Sequence, residues 1–192
     1  VTSESFGSDD TDMTSQLTRI KGEDPEAVIC WGTNPGPAIV AKNMDTLGMD
    51  VPLLQSHGVA NRKFIELGGD AVNGVMLAAG KLIVYEEIPE DDPQKDVLEK
   101  FARDFEDKYG EPADTFGGHA YDAFSIVAEA VKRAGSGDRA AVRDEIEATD
   151  GFVGTAGIFN YSPDDHNGLT KEAFVWVEIV GGDWALAESM LQ

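Results

Sequence analysis

The sequence has 192 residues, 42% of them hydrophobic, enough for one good-sized domain or two small ones with a buried core. Its 15 Lys and Arg against 36 Asp and Glu leave a formal charge of −21. Such a charge repels phosphate backbones and anionic lipid surfaces, which argues against nucleic acid as a partner, yet it does not exclude a small anionic ligand held by local N–H groups.

After a polar turn at Gly7 to Asp10, residues Met13, Leu17 and Ile20 recur at helical spacing, with Asp10 or Thr11 as the expected cap and Gly22 as the stop. Ala27-Val28-Ile29-Cys30-Trp31 is a short apolar run of the kind needed by a strand buried on both faces. Cys30, the single cysteine, rules out an internal disulfide and reads as a core residue. A helix is expected next, capped by Asn34 and opened by Pro35, with Val40, Met44 and Leu47 on one face and Gly48 at its end. Val51-Pro52-Leu53-Leu54 reads as a second strand whose exit carries Gln55-Ser56-His57-Gly58. A short helix from about Asn61 to Leu67 and a strand from Gly74 to Ala79 follow. This alternation predicts an α/β fold, a parallel sheet with helices on both faces.

The acidic, proline-rich stretch Glu86 to Pro93 reads as a loop, and Val97, Leu98, Phe101 and Phe105 as one face of a helix ending near Tyr109-Gly110. Gly110-Glu111-Pro112 is the best candidate for a domain crossing. The next helix, about Phe116 to Ala134, is apolar around much of its circumference and calls for burial on several sides. Asp138 is expected to cap a short helix carrying Val142 and Ile146, and Asp150-Gly151 turns into Phe152-Val153-Gly154. Phe174 to Val180 and Trp184 to Leu186 flank Gly181-Gly182-Asp183, the pattern of an antiparallel hairpin. No run approaches the length of a membrane span, and the start, VTSESFGSDD, lacks the basic and apolar parts of a signal peptide, so either the protein is cytosolic or its front end lies outside this sequence.

In an open parallel sheet ligands sit beyond the carboxyl ends of the strands, so Thr33, Asn34, Ser56, His57 and Gly58 are candidates for one shared edge. Lys81, just past the third strand, belongs to the same edge in this reading. Each has a bland alternative: His57 as a polar loop residue, Lys81 as a surface lysine. His119 at the head of an apolar helix suits a core or hinge role, and His166 a polar turn. No two histidines share a metal-ligand spacing, and Asp164-Asp165-His166-Asn167-Gly168 has Pro163 and Phe174 where a calcium loop needs ligands, so no metal is expected. There is no phosphate loop, no GxGxxG, no GxSxG and no HExxH, and Ser56 and His57 lack a third member, so neither a cofactor nor catalysis is expected.

Three runs, SDDTDMTSQLTRIKGEDPEAVICWG, LGMDVPLLQSHGVANRKFIELGGDAVNGV and DPQKDVLEKFARDFEDKYGEPADTFGGHAYDAFSIVAEAVKRAG, together resemble the periplasmic binding proteins of branched-chain amino-acid type ABC transporters. The resemblance covers nearly the whole chain and implies a type I periplasmic-binding fold that closes two lobes on one solute and docks on a membrane permease. Members are about twice this long, and the chain is similar to their second half. By that analogy 1–112 is part of the C-terminal lobe, 113–172 part of an incomplete N-terminal lobe, and 173–192 strands crossing back. The resemblance places the ligand against Thr33 and Asn34, and His57 where the family often has an acid pairing with the ligand's amino group. It implies an extracytoplasmic, non-enzymatic protein binding an amino acid or an organic or aromatic acid. A sensory domain of the same fold is the alternative, a doubly wound enzyme the more distant one. With the helix 116–134 lacking its sheet, the isolated chain is expected either to self-associate through that region or to rearrange it.

Overall fold

The computed structural model describes residues 1–187. It divides into two compact units, one of residues 1–79 with the chain from Trp176 onward, the other of Gly80–Val175. The change of unit thus falls at Gly80, whereas composition alone marks the crossing at Gly110-Glu111-Pro112.

In the first unit, helix α1 (Thr14–Gly22) precedes strand β1 (Val28–Cys30), helix α2 (Gly36–Thr46), strand β2 (Leu53–Gln55), helix α3 (Arg62–Gly68) and strand β3 (Met76–Gly80). The three strands are parallel neighbours in chain order, with Val28 opposite Leu53, Cys30 opposite Gln55 and Gln55 opposite Leu77. Strand β6 (Phe174–Val180) extends the sheet beside β3 and pairs antiparallel with β7 (Asp183–Leu186). The turn between them is Gly181–Gly182, with φ of 60° and 82°; a hairpin turn that needs two positive φ values suits two glycines.

Helix α2 packs between α1 and α3. Strands that add one after another in the same direction, joined by crossovers of one hand, place their helices on one face. Burial follows that geometry. Val28 and Cys30 are buried while Ile29 between them is 72% exposed, and Leu54, Met76 and Ala78 are half-buried. The expectation of a first strand buried on both sides is therefore corrected: Val28 and Cys30 are covered and Ile29 is open. Helix caps differ too. Asp10 accepts from Gly7 N–H instead of capping α1, and it is Asp12 that accepts from the Thr14 N–H and hydroxyl. Asn34 makes no capping bond to α2, whose N-terminal flank is Pro35.

In the second unit, α4 (Lys95–Tyr109) ends at left-handed Gly110 and lays Phe101 against Tyr121 of α5 (Thr115–Ala134), ring centroids 4.9 Å apart. Asp114 and Asp138 cap α5 and α6 (Arg139–Glu147) through Gly117 N–H and Ala141 N–H. Strands β4 (Phe152–Val153) and β5 (Ile158–Phe159) form a small antiparallel pair, of which the sequence marks only the first. Helix α5 buries a single stripe, Thr115, Gly118, Asp122, Ile126 and Ala130, and leaves Phe116, Phe124, Val127 and Val131 exposed. Its pattern demands more cover than the described residues give it. On the buried stripe, the Asp122 carboxylate accepts from Thr155 N–H (2.8 Å), Thr155 hydroxyl (3.1 Å) and Ala156 N–H (2.7 Å), fixing the bend between β4 and β5. Burial pushes this carboxyl above its ordinary range although all three bonds favour its charged form.

Candidate functional site

Parallel register brings the carboxyl ends of β1 and β2 to one edge of the first unit, and Ser56 ties them together there. Its N–H donates to the Cys30 carbonyl (3.0 Å), its hydroxyl donates to the Gly32 carbonyl (2.8 Å), and Gly32 N–H donates back to the hydroxyl (3.3 Å). Ser56 is buried, so it acts as a clamp and the residues around it form the accessible rim. Gly58 lets the two turns meet: a Cβ there would stand 2.7 Å from the Gly32 carbonyl oxygen and 3.0 Å from Thr33 Cγ2. Thr33 is exposed, and Asn34, His57 and Gly58 are half-buried.

A residue the sequence reading leaves in a helix belongs to this rim. Asn61 caps α3 by accepting from Phe64 N–H (3.2 Å), which fixes its Oδ1 as an acceptor, and Asn34 Nδ2 donates to the same oxygen at 3.4 Å. Asn34 therefore turns its own Oδ1 away, where it is buried without a hydrogen-bond partner. The signal for Asn61 was its place just before Arg62, where an N-cap is expected.

A groove of about 470 Å³ runs alongside β1 and reaches the rim at Thr33 and Asn34; Phe6, Leu17, Ile29 and Trp31 make its walls largely apolar. Glu4 also lines it, held by Arg19 through bonds of 2.8 and 2.7 Å that pull the carboxyl below its usual range. Cys30, beneath the rim, has its thiol pushed up to about 11 by burial, which removes it as a nucleophile at neutral pH.

The remaining candidates lie elsewhere. Lys81 belongs to the second unit, where its ammonium pairs with Asp92 at 2.6 Å, both side chains largely buried. His119 is exposed on α5 rather than in a core, and His166 is exposed with Nε2 3.1 Å from Glu147. Asp165 holds its own turn, accepting from Asn167 and Gly168 N–H. Among the described residues no three His, Cys, Asp or Glu side chains gather to hold a metal ion, and no helix is long and apolar enough to cross a membrane.

Comparison with known proteins agrees with this architecture. The model of the family described as periplasmic binding protein matches residues 1–183. The chain belongs to that family. Among solved structures, this periplasmic binding protein is similar to an extracellular ligand-binding receptor from Rhodopseudomonas palustris HaA2, with TM-score 0.86 and 30% identity over 93% of this chain and 52% of the other. It is also similar to the leucine binding protein LivK of Thermotoga maritima, with TM-score 0.79 and 26% identity over 94% and 49% of the two chains. Among curated proteins it is 26% identical over 131 residues to the Leu/Ile/Val-binding protein BraC3 of Rhizobium johnstonii, covering 68% of this chain and 33% of that one. The chain thus spans about half the length of the solved structures and a third of that curated relative. The type I periplasmic-binding fold expected from the sequence is the fold it has, and its family consists of binding proteins rather than enzymes.

Proposed function

We propose that this chain is part of an extracytoplasmic solute-binding protein that serves an ABC permease, gripping a small carboxylate-bearing molecule, an amino acid or an organic acid, without transforming it. Thr33, Asn34, His57 and Gly58 contact the ligand and Ser56 holds their two turns in register. The observation that carries the reading is the Ser56 tie, which makes a single half-exposed polar rim from two strand ends, at the place where open parallel sheets hold ligands. Support comes also from relatives named for binding leucine, isoleucine and valine. Lys81, paired with Asp92 in the second unit, is not assigned to this rim.

Full-length protein purified natively and extracted with acid is expected to release a small carboxylate identifiable by mass spectrometry, and calorimetry with that compound to show saturable binding weakened at least tenfold by Thr33→Ala or His57→Ala. Absence of any retained molecule, together with no heat from a panel of amino and organic acids, would refute the reading. The 192-residue chain alone is expected to self-associate through the exposed apolar side of α5.

A further inference from the structure

The turn that presents Thr33 and Asn34 has a glycine at either end, Gly32 and Gly36, and Phe6 lies on both. A Cβ on Gly36 would stand 2.5 Å from Phe6 Cε2, and one on Gly32 3.2 Å from its Cζ, so the ring occupies the surface that two side chains would otherwise take. The segment that carries Phe6 is tied on both sides. Before it, Glu4 accepts from Arg19 Nε and Nη2 (2.8 and 2.7 Å) and the Ser5 carbonyl accepts from Gln16 Nε2 (3.4 Å), both donors on α1. After it, Gly7 N–H donates to the Asp10 carboxylate (2.8 Å) and Asp10 N–H to the Gly7 carbonyl (3.2 Å). The head of α1 is in turn fixed to α2, the helix that Gly36 opens, where Met13 N–H donates to Asn43 Oδ1 (2.8 Å).

From this geometry we infer that Phe6 is a positioning residue of the ligand rim, holding the turn from Gly32 to Gly36 in the shape that presents Thr33 and Asn34, an inference that rests on the solute-binding reading above. Glycine has the widest backbone freedom, so a turn bracketed by two glycines is held by its contacts and not by its own stiffness. Ser56 supplies one contact, the hydrogen bonds to the Gly32 carbonyl and N–H. Phe6 supplies the other, a ring packed on both ends of the turn at once. The ties run from α2 through α1 and the segment Glu4 to Asp10 back to the head of α2, so the ring cannot leave without loosening one of them. A side chain that is already in place loses less entropy when a ligand arrives, which is how a residue acting through its neighbours raises affinity.

Hydrogen exchange separates positioning from general packing. Full-length protein carrying Phe6→Ala is expected to exchange the Gly32 amide at least tenfold faster, with the Val28 and Ile179 amides, bonded to the Pro52 and Val75 carbonyls, unchanged. Gly36→Ala puts a methyl where the ring lies and is expected to give the same acceleration, and the two substitutions together no more than either alone. In calorimetry with a panel of amino and organic acids that includes leucine and benzoate, the compound that binds is expected to bind at least fivefold more weakly to Phe6→Ala, with Phe6→Leu recovering most of the loss. No acceleration at Gly32, an acceleration shared equally by Val28 and Ile179, or an affinity unmoved beside a faster Gly32 overturns the inference and leaves the solute-binding reading standing. No heat from the whole panel with the unaltered protein overturns both.

Discussion

Gly58→Ala tests the contact that joins the two strand ends. The new Cβ would stand 2.7 Å from the Gly32 carbonyl oxygen, a backbone atom that cannot swing aside, whereas ordinary carbon–oxygen approaches begin at about 3.3 Å. The two turns must part by roughly 0.6 Å, which carries the Ser56–Gly32 hydrogen bond from 2.8 Å towards 3.4 Å, outside the range of about 2.5–3.0 Å for O–H···O bonds. Overpacking of this kind costs about 1–3 kcal/mol and the weakened bond about 1 more, offset by about 0.4–1 kcal/mol from the stiffer unfolded chain. A net loss of about 2 kcal/mol is expected. Gly22→Ala is the matched control, because nothing lies within 4 Å of a Cβ at the end of α1, so it should be neutral or stabilising by about 0.5 kcal/mol. Urea unfolding followed by far-UV circular dichroism reads both. If the midpoints of the two variants agree within error, the close approach is not what holds the rim.

Other expectations follow from single groups. Asp122→Ala removes the acceptor for two buried N–H groups and a hydroxyl, and should cost about 2–4 kcal/mol in urea unfolding. Because the Asp122 carboxyl is raised in the folded state, its contribution is fully present below its ordinary 3.8 and declines as pH rises through the folded value; unfolding midpoints measured across pH 3–6 should show a slope that the variant lacks. Cys30, buried and with its thiol near 11, should react with a maleimide at pH 7.5 at least a hundredfold more slowly in the native protein than in urea. Phe124, 77% exposed on α5, is the most accessible apolar side chain of that helix. Phe124→Asp should therefore shift the isolated chain towards monomer in sedimentation velocity, and an unchanged profile would remove α5 as the contact.

Much of the framework was legible because it is local. The period-three-to-four spacing of Met13, Leu17 and Ile20 and of Val97, Leu98, Phe101 and Phe105 marks α1 and α4, and Gly181-Gly182 between apolar runs marks the hairpin. The rim, too, follows from local signals: two short apolar runs joined by one helix fit a parallel crossover, and the parallel pairing of β1 and β2 brings Thr33–Asn34 and Ser56–Gly58 to the same edge. Where local rules misled, a distant group had intervened. Asn34 fits an N-cap by sequence, but Asn61, fixed as an acceptor by its own helix, draws the Asn34 amide across to the neighbouring strand end.

Which face of a strand is covered, and which lysine is free, depend on atoms far away in the chain. Ile29 is as apolar as its neighbours Val28 and Cys30, yet it is exposed because the helices that follow β1 and β2 gather on the other side of the sheet. Lys81 sits just past a strand as a site cation should, but Asp92 on the following loop has already taken its charge. The sequence by itself therefore determined the order of elements and the residues delivered to the strand ends, since these depend on periodicity and turn chemistry. Only the tertiary structure decided how Ser56 locks the rim, which acceptor is left over and which apolar faces stay open, because each is settled by packing and pairing between segments that no spacing rule connects.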